Sequence, residues 1–167
     1  MTHIDKQHID YTLYLVTDRS VMSAKSLEQA VEQAIQGGCT VVQLREKNIT
    51  SREFFETAQR IKQITDFYHI PLIINDRTDI CLAVNAAGIH VGQQDLPAKV
   101  VRSIVGPDKI IGVSAATLSE AMQAEQDGAD YLGVGAMFAT STKTNTRPVT
   151  VEQLVQIKQA VQIPVVA

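Results

Sequence analysis

The sequence predicts an α/β domain of repeated strand–helix units, arranged as a doubly wound open sheet or a β/α barrel, and three observations predict it. Short apolar runs rich in Val, Ile and Leu recur along all 167 residues. Their character is continuous rather than alternating, as expected of parallel strands covered on both faces. Between them lie longer segments of helical periodicity, each long enough for a right-handed crossover helix.

Taken in order, the runs are LYLVT (13–17), TVVQL (40–44), PLIIN (71–75), GIHV (88–91), KIIGV (109–113), YLGVG (131–135) and PVVA (164–167). The first helical segment, 26–38, places Leu27, Ala30, Val31, Ala34 and Ile35 on one stripe and ends in Gly37-Gly38, a good stop. The second, 51–68, does the same with Phe54, Phe55, Ala58, Ile61 and Ile64. Segments 77–88, 97–106, 117–128 and 150–161 follow. Ser26…Gln29, Thr50…Glu53, Thr117…Glu120 and Thr150…Gln153 each have the spacing of a capping box. The organisation expected is a polar arm over residues 1–10 and one domain over 11–167, without an internal linker.

Composition removes several classes. Apolar residues make up 45% of the chain, enough for a sizeable core. No apolar run approaches the ~18 residues of a membrane span. The polar start MTHIDKQHIDYT lacks the apolar stretch of a secretory signal, so a cytoplasmic location is expected. A net charge of −3 without a Lys/Arg block argues against nucleic acid as partner. Two cysteines, Cys39 and Cys81, exclude a disulfide-dense scaffold and read as small core residues. No GxGxxG follows the first strand, which disfavours a dinucleotide fold.

In a β/α barrel the strand-to-helix loops open on one face, and reactive groups gather there. Asp18-Arg19, Arg45-Glu46-Lys47, Asn75-Asp76-Arg77, Gln93-Gln94-Asp95, Ser114 and Thr140-Ser141-Thr142-Lys143 all follow predicted strands. The helix-to-strand junctions are chemically bland. Period-two alternation points Gln43, Arg45 and Lys47 the same way. An amide, a guanidinium and an ammonium together suit an anion with several oxygens. The alternative is a solvated strand end with Glu46 paired to a neighbouring cation.

Asp76 and Asp95 supply two carboxylates at adjacent strand ends. Mg²⁺ favours one or two protein carboxylates with substrate phosphate and water, so a metal-bridged pyrophosphate site is one reading. The other is helix capping, by Asp95 ahead of Leu96-Pro97 and by Asp76 ahead of Thr78. His90 reads as a packed, hydrogen-bonded histidine, and no second His or Cys stands at zinc spacing. Ser114 lacks a nucleophile-elbow context and a partnered His, which argues against a hydrolase triad. Lys143 is a surface lysine or a phosphate clamp.

LYLVTDR (13–19), QLREK (43–47), NDR (75–77), GIHVGQQD (88–95), GVSA (112–115), DGADYLGVG (127–135) and TSTK (140–143) together resemble the thiamine-phosphate synthase (thiamine-phosphate pyrophosphorylase) family, in order and in spacing. The resemblance implies a TIM (β/α)8-type barrel and a role in thiamine biosynthesis. It implies coupling of hydroxymethylpyrimidine diphosphate with thiazole phosphate, giving thiamine phosphate and pyrophosphate. Gln43, Arg45, Lys47 and Asn75 are then expected to hold the pyrimidine diphosphate, and Asp76 and Asp95 to hold Mg²⁺. Ser114 and Lys143 are expected at the diphosphate and reacting groups, with Arg45 beside them in the catalytic set. Thr140 and Thr142 are expected beside the thiazole.

The chemistry agrees with the residue inventory. An amino-pyrimidine stabilises a positive methylene carbon, so a dissociative substitution asks for charge neutralisation on the departing pyrophosphate and no protein nucleophile. The sequence departs from the family pattern at Ala136 and Ala139, where prolines are common, and at Ala116, where His is frequent. It stops at PVVA, before the glycine-rich turn and eighth strand that the family uses for the thiazole phosphate. The expectation is therefore a C-terminally incomplete barrel, stopping at about the seventh strand, with open edges, low stability and little activity of its own. The alternatives are a thiazole tautomerase-like relative, or a non-catalytic fragment or ligand-binding module. A homo-oligomer remains open.

Overall fold

The computed structural model describes residues 6–138 and 147–167. The chain divides into two compact units, one running to Ile89 and one beginning at His90.

In the first unit a 3-10 turn, Lys6–His8, precedes β1 (Tyr14–Val16), α1 (Leu27–Gln36), β2 (Val41–Leu44), α2 (Ser51–Phe67), β3 (Leu72–Asn75) and α3 (Thr78–Ala83). Both strand pairs are parallel, with Leu15 opposite Val42 and Gln43 opposite Ile73. α1 buries Leu27, Val31 and Ile35 at four-residue steps, and α2 buries Phe54, Ala58 and Ile61. Each large aliphatic among them contributes about 2 kcal/mol relative to exposure. The Thr50 box is complete: Thr50 N–H donates to Glu53 Oε2 at 2.7 Å, and Glu53 N–H donates to Thr50 Oγ1 at 3.2 Å. The Ser26 box is only half formed. Ser26 Oγ accepts from Gln29 N–H at 3.1 Å, but the Gln29 amide oxygen takes the N–H of Lys25 instead. α3 is shorter than the predicted segment, closing at Val84 and followed by Asn85 at φ 51°.

β4 (Gly88–Val91) spans the boundary and is buried throughout. The second unit continues with α4 (Ala98–Val105), β5 (Ile110–Ala115), α5 (Leu118–Gln126), β6 (Tyr131–Val134), α6 (Val151–Ala160) and β7 (Val165–Val166). β5 pairs β6 in parallel, placing Gly112 opposite Tyr131 and Ser114 opposite Gly133, and β6 pairs β7. α5 and α6 both start from complete capping boxes, at Thr117 and Thr150. At the opposite end of the strands Arg102 gathers the junctions. Its guanidinium donates to the carbonyls of Gly106, Lys109 and Gly128 and to Asp130 Oδ2, the last at 2.5 Å.

Burial departs from expectation in two strands. β1 and β7 were predicted to be covered on both faces, yet Val16 is 44% exposed and both β7 residues are half-buried. Each pairs with a single neighbour within its unit, β1 with β2 and β7 with β6.

Candidate active site

In the first unit the polar residues predicted at the exits of β1, β2 and β3 are brought together. Gln43 is buried within β2, and its amide donates to Tyr14 Oη at 2.8 Å. Asn75, the last residue of β3, is also buried. Arg45 and Lys47 lie beyond the end of β2, and each meets a carboxylate. Arg45 Nη1 stands 3.6 Å from Asp18 Oδ2, with both side chains largely buried, and Lys47 Nζ pairs with Asp76. Arg19 Nε donates to Glu46 Oε1 at 2.7 Å. The expected pairing of Glu46 with a neighbouring cation is therefore present, beside the anion-type cluster and not in place of it. The result is a charge-balanced set of cations and carboxylates at the exits of β1, β2 and β3.

Main-chain geometry fixes these groups. Arg45 N–H donates to Thr17 Oγ1 at 2.9 Å, tying the exit of β2 to that of β1. Two donors of Ser20, N–H at 2.9 Å and Oγ–H at 2.6 Å, engage Asp18 Oδ1. They hold its carboxyl below the ordinary carboxylate range, with a smaller pull from Arg45. Asp76 has φ 62°, and Arg77 N–H donates back to Asn75 O at 2.8 Å, a γ-turn centred on Asp76. A left-handed non-glycine residue costs about 1 kcal/mol; here the turn accompanies the Asp76–Lys47 pair. The capping role considered for Asp76 is absent: the α3 N-cap is Arg77, with no side-chain cap.

In the second unit Asp95 Oδ2 accepts from Gly92 N–H at 2.7 Å and closes a turn after β4. It does not cap α4, whose N-cap is Pro97 without a side-chain bond. Gln93 Nε2 donates to Ser114 O at 2.8 Å. One reading from sequence is corrected here. Ser114 does have a histidine partner, because His90 Nε2 lies 2.9 Å from Ser114 Oγ. His90 Nδ1 lies 2.9 Å from Tyr131 Oη. The three belong to separate strands, so no local motif announces them. Thr140, Thr142 and Lys143 lie outside the described residues.

Among the described residues no group of three or more His, Cys, Asp and Glu forms a metal cage. Asp76 and Asp95 are nevertheless hard oxygen donors of the kind Mg²⁺ takes one or two at a time, with phosphate and water completing its shell. The Lys47 ammonium at Asp76 shows that this carboxylate already receives a cation. Each carboxylate, Asp76 in the first unit and Asp95 in the second, is by itself a donor of the type the ion takes.

Sequence reasoning missed Tyr14 and Thr17 as holders of Gln43 and Arg45. It placed Asp18 at a strand end without assigning it to Arg45. A cavity of about 270 Å³ between β1 and α1 is lined by Leu15, Thr17, Asp18, Met22 and Leu27, and so shares Thr17 and Asp18 with the setting of Arg45. No helix among the described residues is long and apolar enough to cross a membrane.

Fold and site together define a TIM-type α/β enzyme with its charged and amide groups at the strand exits. The thiamine monophosphate synthase family matches residues 13–167, and the chain belongs to that family. It is 62% identical over 161 residues to the thiamine-phosphate synthase of Ruminiclostridium cellulolyticum, covering 96% of this chain and 77% of that one. The enzyme of the same name from Clostridium tetani is 59% identical over the same shares. Among solved structures, thiamine phosphate pyrophosphorylase from Pyrococcus furiosus superposes with a TM-score of 0.83 at 40% identity, over 92% of this chain and 72% of that one. The chain is thus a thiamine-phosphate synthase by family, with small molecules as substrates.

Proposed function

We propose that the enzyme joins hydroxymethylpyrimidine diphosphate to thiazole phosphate by a Mg²⁺-assisted dissociative substitution. The bond from the pyrimidine methylene to the diphosphate oxygen breaks, and its electron pair leaves with pyrophosphate. The thiazole nitrogen lone pair then forms the new carbon–nitrogen bond. No proton is transferred in the substitution, so the protein's tasks are to hold, orient and neutralise.

Arg45 and Lys47 take the diphosphate oxygens, Arg45 as a planar fork and Lys47 as a mobile point charge. Gln43 and Asn75, buried amides at the ends of β2 and β3, orient the pyrimidine. The Ser114 hydroxyl and Lys143 serve the diphosphate, and Thr140 and Thr142 the thiazole. Asp76 of the first unit and Asp95 of the second are the carboxylates proposed for Mg²⁺, which when bound supplies positive charge against the leaving group. The location proposed is the cytoplasm.

One observation carries this reading: Arg45, Lys47, Asn75 and Asp76 gather at the exits of the paired strands β2 and β3. Pyrophosphate release, measured with both substrates and with each alone, tests it. Release that requires both substrates and matches thiamine phosphate formed is expected. Thiazole isomerisation without pyrophosphate, or binding without turnover, would replace the reading with a tautomerase-like enzyme or a ligand-binding module.

A further inference from the structure

We infer that Tyr131 and His90 are positioning residues that hold the Ser114 hydroxyl as a hydrogen-bond donor to an anionic oxygen; the inference rests on the proposed role of Ser114 at the diphosphate. Tyr131 Oη, His90 and Ser114 Oγ form a continuous chain with both links at 2.9 Å. Tyr131 is 1% and His90 6% exposed, whereas Ser114 is only half-buried, so the chain runs from the interior to a partly exposed serine.

The strands are built around it. Gly112 lies opposite Tyr131 in the β5–β6 register, and a Cβ there would coincide with the tyrosine ring. Gly133 lies opposite Ser114, and a Cβ there would stand 3.0 Å from His90 Cε1. Two glycines thus leave room for one phenol and one imidazole. Gln93, donating to the Ser114 carbonyl at 2.8 Å, fixes the main chain beneath the hydroxyl.

Proton counting sets the direction. A hydroxyl has one hydrogen, and a neutral imidazole has one donor and one acceptor nitrogen. If Ser114 donated to His90, it would have no hydrogen left for an anion, and the pair would have the polarity of a nucleophile and its base. For Ser114 to donate outward, His90 must carry its proton on Nε2 and donate to Oγ. Nδ1 is then the acceptor, and the Tyr131 phenol must donate to it. The phenol therefore selects the tautomer, and the tautomer orients the hydroxyl.

Two measurements on the full chain test this. The first is ¹⁵N spectroscopy of the imidazoles, with the His90 signals assigned among the four histidines by their loss in His90→Gln. A neutral Nε2–H tautomer is expected, with Tyr131→Phe introducing the Nδ1–H form. A wild-type Nδ1–H tautomer would overturn the inference. The second is the affinity for inorganic pyrophosphate in the presence of Mg²⁺. Tyr131→Phe and Ser114→Ala should each weaken it about tenfold, the scale of one hydrogen bond. The double variant should be no weaker than Ser114→Ala alone. Additive losses, or no effect of Tyr131→Phe where Ser114→Ala has one, would overturn it, because a purely structural tyrosine would act whether or not the serine is present. If the wild-type chain binds no pyrophosphate, the reaction reading fails, and the His90 tautomer still decides the positioning role.

Discussion

The Arg45 guanidinium stands 3.6 Å from the Asp18 carboxylate, so the exit of β1 holds the cation at the exit of β2. Thr17 adds a main-chain clamp on the same residue, accepting from Arg45 N–H at 2.9 Å. The guanidinium is thereby placed before a ligand arrives, and its value to an anion depends on its fork shape as well as its charge.

Arg45→Lys should therefore cost more than its retained charge implies. A loss of about tenfold or more in kcat/KM for pyrophosphate release is expected, corresponding to one forked contact reduced to a point contact. An unaffected rate would remove Arg45 from the site.

The Asp18 carboxyl titrates below the usual range because the Ser20 hydroxyl and N–H donate to it, with burial opposing and Arg45 adding a smaller pull. A carboxylate whose folded value is lowered contributes stability that is present above its ordinary titration range and is lost as pH falls through the lowered value. Ser20→Ala should move the Asp18 titration upward, toward the ordinary carboxylate range. Carboxyl ¹³C shifts followed against pH would read this, and an unmoved titration would show that Ser20 is not its cause.

Arg102 serves the carbonyls of Gly106, Pro107, Lys109 and Gly128 and the Asp130 carboxylate at the helix-to-strand junctions of the second unit. Arg102→Met keeps much of the stem and removes every donor, leaving partly buried acceptors unpaired. A loss of about 3 kcal/mol of unfolding free energy is expected from denaturant titration. A loss within about 0.5 kcal/mol would mean that water replaces the guanidinium without cost.

The helix starts differ in a measurable way. Thr117→Ala breaks a complete capping box and should cost about 1 kcal/mol. Gln29→Ala should cost less, because the Gln29 side chain receives the Lys25 N–H and not that of Ser26. Equal losses in denaturant titrations would contradict the half-formed box at Ser26.

What was legible in the sequence was what local periodicity encodes. Runs such as LIIN and GIHV are buried at every position because both faces are covered, and that is the continuous apolar pattern itself. Thr50, Thr117 and Thr150 announced their helices because capping is a contact over three residues. The exits of β2 and β3 were legible as places for Arg45, Lys47, Asn75 and Asp76, since strand order alone puts them there. The partners were not. Asp18 meets Arg45 across 27 residues and Ser114 meets His90 across 24, and no spacing rule links side chains on different strands. The hydroxyl of Ser114 therefore looked isolated. The role of Gly112 was hidden for the same reason, because the ring that requires the missing Cβ belongs to Tyr131.

The dependence of pyrophosphate release on Mg²⁺ concentration, compared between the wild-type chain and Asp76→Ala, bears on the whole scheme. If strand-exit cations and Mg²⁺ jointly neutralise the leaving pyrophosphate, the wild-type rate saturates with Mg²⁺. Asp76→Ala then needs about tenfold or more Mg²⁺ to reach half its maximal rate, on the scale of losing one ligand of a metal site. Identical Mg²⁺ dependence in the two proteins would contradict it.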